Sequence, residues 1–259
     1  MIGDVVGDPG LKTLEEKLPA LVRDNAVDFT VVNGENAADG FGLTDAAMKR
    51  IIAAGADVIT SGNHVWEKRD FWQIMNADDR VLRPANYPEP AAGRGWLCAQ
   101  KAEANWVVVN AQGREYMTPI DCPFRCLDGI IAQVAGSPAA IVLVDFHAES
   151  TREKESLAYH LDGRVTLLAG THTHVQTADE RVLPQGTAYI TDLGMTGIPL
   201  SVIGMNVGIC LDRARKQVMY RMEPAAEPAD GKSGAQIQGV IAEIDAESGK
   251  AVSIKRICV

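Results

Sequence analysis

Two histidines one residue apart, His172 and His174, close the segment GTHTHV directly behind the apolar run VTLLA. Such a pair gains meaning only from what stands in equivalent places elsewhere in the chain. Asp4 follows Gly3 near the start. Glu35 follows the run DFTVVN and a glycine, Asn63 follows ADVITS and a glycine, and His147 ends AAIVLVDF. Five candidate strands therefore finish on a nitrogen or oxygen donor. Ligands of open α/β sheets collect outside the carboxyl ends of the strands, so Asp4, Glu35, Asn63, His147, His172 and His174 are expected to converge on one point. Glycine beside the donor lets backbone approach closely. In an extended segment His172 and His174 project to the same side.

The donor set fixes the chemistry it suits. Nitrogen and oxygen ligands without thiolate suit Mn, Fe or Zn, and carboxylate with amide oxygen favours Mn or Fe. The donors are too many for one tetrahedral ion and enough for two divalent ions, with Glu35 able to bridge them. Two such ions, two carboxylates and a bridging hydroxide leave a formal positive charge, which attracts a phosphate anion. Paired metals about 3.5–4 Å apart are a recurring device for phosphoester cleavage. The expected step is in-line attack by the metal-bridging hydroxide on a phosphoester phosphorus, both ions stabilising the charge that develops.

The elements that must position these residues are short β-branched runs at 28–33, 56–61, 105–110, 139–146, 164–169 and 188–193, whose continuous apolar character suits strands buried on both faces. Helical patterns lie between them. Residues 11–24 carry leucines at helical spacing, with Pro19 placed to kink or divide the stretch. Thr44 is the expected N-cap of a helix that stops at Gly55. Ser150 and Glu153 have capping-box spacing ahead of a helix that stops at Gly163. Residues 224–236 read as an exposed Pro/Gly/Ala loop, and 238–245 with 250–257 as a C-terminal antiparallel hairpin. The alternation predicts an α/β sandwich of layered sheet and helix, and no linker divides it, so one domain over 1–259 is expected.

Bulk properties bound the function. With 25 basic against 34 acidic residues and a net charge of −9, no extended nucleic-acid surface is expected, though a small anion in a locally positive site is compatible. Five cysteines, an odd number without zinc-knuckle spacing, read as reduced thiols. No apolar stretch approaches the roughly 20 residues of a membrane span. The opening MIGDVVGD lacks the features of a signal peptide. No membrane association is expected, the cytoplasm is the expected location, and assembly with further copies of the chain is left open.

With these residues in view, the chain resembles the calcineurin-like metallophosphoesterases, and within them the bacterial YmdB-type branch, in which NGEN replaces the usual acidic GD motif. IGDVVGDPG, VVNGENAADGFGLT, ITSGNHVW, VDFHAE and GTHTHVQTADERVLPQGTAYITDLGMTG carry the resemblance, from the first residues to about 205. It implies a four-layer αββα sandwich of two mixed sheets flanked by helices, a dinuclear centre, and activity on small phosphodiesters, most notably cyclic nucleotides, with the 2′,3′-cyclic isomer favoured over the 3′,5′-cyclic one. By position it implies Asp4 and His174 on one metal, Asn63, His147 and His172 on the other, and Glu35 between them. Asn36 matches a further metal ligand, and His64 matches the catalytic histidine that protonates the leaving oxygen or holds a phosphate oxygen. Two departures stand out. Only Met1 and Ile2 precede Gly3 where the family carries a fuller first strand, which predicts a truncated start and a weakened Asp4 position. The segment GMTGIPLSVIGM departs from the family at about 198–200, in a loop expected near the substrate.

Around this set, Glu149, Thr171 and Asp192 are candidates to orient the ligands. His160, in the helical stretch SLAYHLDG, reads as structural, and Trp66, Phe71 and Trp72 read as core rather than as a stacking platform. Among rival functions, amidohydrolases place their H-x-H motif on a first barrel strand, unlike residues 172–174 here. A phosphomonoesterase or nucleotidase on the same scaffold and a metal-dependent regulatory protein with incidental activity remain as alternatives.

Overall fold

The computed structural model describes residues 1–134, 140–227 and 234–259. Its strands are β1 (Asp4–Val5), β2 (Val31–Asn33), β3 (Val58–Thr60), β4 (Trp96–Lys101), β5 (Ala104–Gln112), β6 (Ala140–His147), β7 (Leu167–Thr171), β8 (Arg181–Val182), β9 (Ala188–Ile190), β10 (Met195–Thr196), β11 (Gln238–Ile244) and β12 (Ala251–Cys258). Its helices are α1 (Gly7–Asp24), α2 (Asp45–Ala53), α3 (Phe71–Ala77), α4 (Pro123–Val134), α5 (Thr151–Leu161) and α6 (Val207–Lys216).

Six strands form one mixed sheet in the order β4-β5-β6-β7-β9-β8, parallel at its centre and antiparallel at both edges. The other sheet surface joins the parallel pair β2–β3 to the hairpin β11–β12 through Ile2, which bridges Val32 on one side and Gly239 on the other. Period-two alternation then sorts the apolar side chains into three cores. Val107, Val109, Val142 and Val144 pack outward with Leu127 and Ile130 of α4 and Leu157 and Leu161 of α5. Their neighbours Trp106, Val108, Ile141 and Leu143 face inward against Phe29, Val31, Val58 and Val240. Val32 and Ile59 face away from that inner core, towards Leu11, Leu14 and Leu18 of α1 and Ile51 of α2. Three cores between four layers make the αββα sandwich.

The first residues are short as a strand yet held on several sides. The Met1 amine donates to Val240 O at 2.9 Å, Ile2 N to Val31 O at 2.9 Å, Gly3 N to Gln238 O at 2.9 Å and Asp4 N to Gly194 O at 3.2 Å. Asp4 is fully buried and pairs in register with Met195. Against the expectation of a weakened Asp4 position, other segments of the chain supply hydrogen bonds to every residue from Met1 to Asp4.

Thr44 caps α2 by accepting from Ala47 N, and Ser150 caps α5 by accepting from Glu153 N. Glu153 does not complete a reciprocal box. Its carboxylate instead accepts from the amides of Arg114 and Glu115, fastening the turn after β5. Pro19 lies inside α1 without dividing it. The expected loop at 224–236 lies partly outside the described residues, as does residue 139 of the expected strand 139–146.

Candidate metal centre

β2, β3, β6 and β7 deliver their carboxyl ends, and β1 its first residue, to one region. Asp4 opens β1, Glu35 and Asn36 lie just beyond β2, Asn63 starts a short 3-10 turn after β3, His147 ends β6 and His172 follows β7. Gly62 shows why glycine stands there: a Cβ at this position would overlap the His147 ring and the Glu35 carboxylate.

His172 and His174 do not lie in an extended segment. Both have left-handed backbone, with φ of 106° and 63°, so the expectation that they project to one side of a strand is corrected. For non-glycine residues this conformation is unfavourable, and surrounding structure must impose it. Here Asp192 does so. Its Oδ2 accepts from Thr173 N at 3.1 Å and from Lys154 Nζ at 2.8 Å, and its Oδ1 accepts from Gly194 N at 2.9 Å. The turn sends the two rings to different neighbours.

His147 Nε2 lies 3.0 Å from Glu35 Oε1, 3.1 Å from Asn63 Oδ1 and 3.0 Å from His172 Nδ1. Glu35, His147 and His172 each offer one ligand atom within 4.8 Å of the others. The ring of His174 turns the other way. Its Nδ1 donates to Ile203 O at 2.8 Å and its Nε2 faces Asp4 Oδ1 at 3.8 Å. Asp4 Oδ1 also lies 3.9 Å from His147 Nδ1. Asn36 donates its amide to Gly40 O at 3.0 Å. Asp4 Oδ1 and Asn36 Oδ1 are both buried without a hydrogen-bond partner. Buried polar atoms are nearly always paired, so two orphaned oxygens beside three imidazoles form a cradle suited to cations. The donor set is the N/O mixture of hard and borderline divalent ions.

The electrostatics show buried charges acting strongly on one another. Burial pushes the Asp4 carboxyl up to about 7, against the pull of His174 and His147. Glu35 is equally buried, but the adjacent His147 ring holds it down at about 2. Burial disfavours the His147 cation, yet Glu35 overrides it and raises the ring to about 9. Burial, followed by the nearby charge of His147, lowers His172 to about 3 and leaves it neutral with a lone pair to offer.

Beneath the cluster lies a network that sequence reasoning only partly found. Thr171, one of the expected orienting residues, donates to Asp145 Oδ1 at 2.6 Å and lies 2.9 Å from His147 Nδ1. With its hydroxyl proton committed to Asp145, Thr171 accepts the Nδ1 proton of His147, and Nε2 is left for the cluster. Asp145 Oδ2 accepts from Thr60 at 2.5 Å and from Asn33 at 3.0 Å, linking the two sheets. Asp145, Asn33, Thr60 and Lys154 were not singled out in the sequence. The signal for Asp145 was present, as the one charged residue within VLVDF, two positions before His147 and on the same strand face. Glu149 Oε2 reaches His172 Nε2 at 3.1 Å, and Asp192 fixes the turn as described. His160 is remote from the cluster and pairs with Asp128 at 2.9 Å. Phe71 is buried in the core, while Trp66 and Trp72 pack edge to face at 5.9 Å.

His64 sits at the rim. Its backbone N donates to Glu35 Oε2 at 3.2 Å, its Nδ1 lies 3.4 Å from Glu67 Oε1, and its ring lines a cleft of about 920 Å³ that Glu35, Asn36, His172 and His174 also line. Ile203, from the segment that departs from the family pattern, lines the same cleft.

Residues 1–257 match the profile of the YmdB-like protein family. A 2′,3′-cyclic-nucleotide 2′-phosphodiesterase of Bacillus subtilis (strain 168) is 42% identical over 258 residues, covering 100% of this chain and 95% of the relative. The crystal structure of a hypothetical protein from Thermus thermophilus superposes with a TM-score of 0.90 at 36% identity, covering 100% of this chain and 97% of the other. A novel phosphatase of Mycoplasma pneumoniae superposes with a TM-score of 0.91 at 33% identity, covering 100% and 91%.

Proposed function

The chain belongs to the YmdB-like family, and on that premise we propose that it is a metal-dependent phosphodiesterase that opens small cyclic nucleotides, 2′,3′-cyclic in preference to 3′,5′-cyclic. The reading rests above all on one observation. Ligand atoms of Glu35, His147 and His172 lie within 4.8 Å of one another, the unpartnered buried oxygen of Asp4 is 3.9 Å from His147, and Glu35, Asn36 and His172 line an open cleft. The name of the Bacillus subtilis relative supports the substrate class. We take the whole of 1–259 as one catalytic domain. No helix among the described residues is long and apolar enough to cross a membrane.

Two divalent ions, Fe or Mn ahead of Zn, would be held by Asp4, Asn36 and His174 on one side and by Asn63, His147 and His172 on the other, with Glu35 shared. When bound they supply Lewis acidity and an activated water. The protein's own groups do the rest. Thr171 and Asp145 hold the His147 ring in one orientation and protonation state. Glu149 and Asp192 set His172 and its turn. His64, adjacent in sequence to Asn63 and facing the cleft, gives its proton to the ribose oxygen that departs when the cyclic phosphate opens. Glu67, 3.4 Å from its Nδ1, orients that ring.

The test is to strip the protein, reload it with Mn, Fe or Zn, and measure turnover of 2′,3′-cyclic nucleotides, 3′,5′-cyclic nucleotides and a phosphomonoester. Fastest turnover of a 2′,3′-cyclic nucleotide is expected. Inactivity on all three sinks the enzyme reading. A faster monoester reaction replaces it with a phosphomonoesterase, the reading that the name of the Mycoplasma pneumoniae phosphatase favours.

A further inference from the structure

The cleft continues well beyond the donor cluster. The His64 ring meets Phe41 edge-on with centroids 4.9 Å apart. Apolar Met205 and Met222 and the charged Arg213 line the same cleft. Phe41, Met222 and Arg213 also line an adjoining cavity of about 280 Å³, whose wall includes Lys68 and Arg221. Among the described residues the side chains of Arg213 and Arg221 make no ion pair or hydrogen bond. Lys68 pairs with Asp39 at 3.5 Å, and Glu67 lies on the same cavity. Three cations against two carboxylates leave this end positive, in a chain whose net charge is −9. An unpaired guanidinium lining a cleft beside apolar side chains has a phosphate as its natural partner.

We propose that this end of the cleft is a second phosphate subsite, so that the substrate carries a phosphate on its 5′ oxygen in addition to the cyclic one. The inference rests on the function proposed above. The ribose of a 2′,3′-cyclic nucleotide has its 1′ position taken by the base and its 2′ and 3′ oxygens in the phosphate ring, which leaves the 5′ oxygen for any further phosphate. The cyclic phosphate sits at the donor cluster, the nucleoside lies along Phe41, Met205 and Met222, and Arg213 with Arg221 takes the second phosphate. That phosphate has two sources: the terminal 5′-phosphate of a mononucleotide, or the internucleotide phosphate of a short RNA ending in a 2′,3′-cyclic phosphate.

The metal-loaded enzyme should be assayed on adenosine 2′,3′-cyclic phosphate, on its 5′-phosphorylated form and on the dinucleotide ApA bearing a 2′,3′-cyclic end. One or both of the longer substrates should exceed the plain cyclic nucleotide in kcat/KM by roughly tenfold, mainly through KM. The substrate that gains identifies the source of the phosphate. In Arg213→Met the ratio should fall close to one. Calorimetry on the same loaded protein should show adenosine 3′,5′-bisphosphate binding roughly tenfold tighter than 3′-AMP. Equal kcat/KM for all three substrates overturns the subsite, as does a preference that survives in both Arg213→Met and Arg221→Met. No turnover of any of them overturns the proposed function and this inference with it.

Discussion

In the proposed reaction His64 and Thr171 would divide the work of the site between chemistry and position, and their variants should separate the two. His64 contributes its backbone to Glu35 and its ring to the cleft. His64→Ala should keep its metal content, measured by elemental analysis, while kcat falls by about 10²–10⁴-fold, the usual worth of a general acid. A fully metal-loaded His64→Ala variant with undiminished kcat removes His64 from the reaction. Thr171 instead acts through His147. Thr171→Val deletes the contacts at 2.9 Å to His147 Nδ1 and 2.6 Å to Asp145. Metal affinity should fall about 10–100-fold, as for other groups that orient metal ligands, and raising the metal concentration should restore much of the turnover. Loss of turnover that no metal concentration restores would make Thr171 more than an orienting residue. Most of the donors were legible one by one, since a donor behind an apolar run is a pattern of residue types. Asp145 carried a signal as the one charged residue within VLVDF, but its network did not, because nothing in the sequence says that Asn33 and Thr60, far upstream in the chain, supply its hydrogen bonds.

The element that most needs explaining is the turn after β7, where two histidines hold left-handed backbone. Its support comes from the buried Lys154 on α5 and Asp192 after β9, joined at 2.8 Å. Breaking a buried pair strands the remaining charge and typically costs about 3–5 kcal/mol. Lys154→Met should show a loss of that size in urea unfolding, whereas Thr44→Ala, which removes only the cap of α2, should cost about 1 kcal/mol. Equal losses from the two variants would mean that the pair has no special hold on the turn. The strands at 58–60, 104–112 and 140–147 and the two capped helices were readable, because apolar runs and capping residues are local signals. The conformation of 172–174 was not. Strain imposed by partners from other elements leaves no mark on the segment itself. Nor was α6 singled out: its apolar positions Val207, Cys210, Leu211 and Ala214 have helical spacing, but none of its residues is buried.

Across the whole molecule the donors come from both sheets. Asp4, Glu35 and Asn63 belong to the side of β1, β2 and β3, while His147 and His172 belong to the six-stranded sheet. The inner core of Val31, Val58, Val108 and Leu143 holds the two sheets together along their length. At the carboxyl end of the strands that apolar contact gives way to Asp145 and the donor cluster. Ions held there as proposed would clasp the two sheets together, so metal occupancy should appear as stability of the whole fold. A ligand that binds only the native state stabilises it by about 2.7 kcal/mol per site at a hundredfold excess over Kd. For a chain of this size each kcal/mol moves Tm by roughly 2–4 °C. Chelation should therefore lower Tm by several degrees, and Mn should restore it in proportion to the logarithm of its free concentration. In His172→Ala, which loses a donor from the six-stranded sheet, most of that dependence should vanish. A wild-type Tm that ignores both chelator and added metal would show that these donors do not join the sheets through an ion.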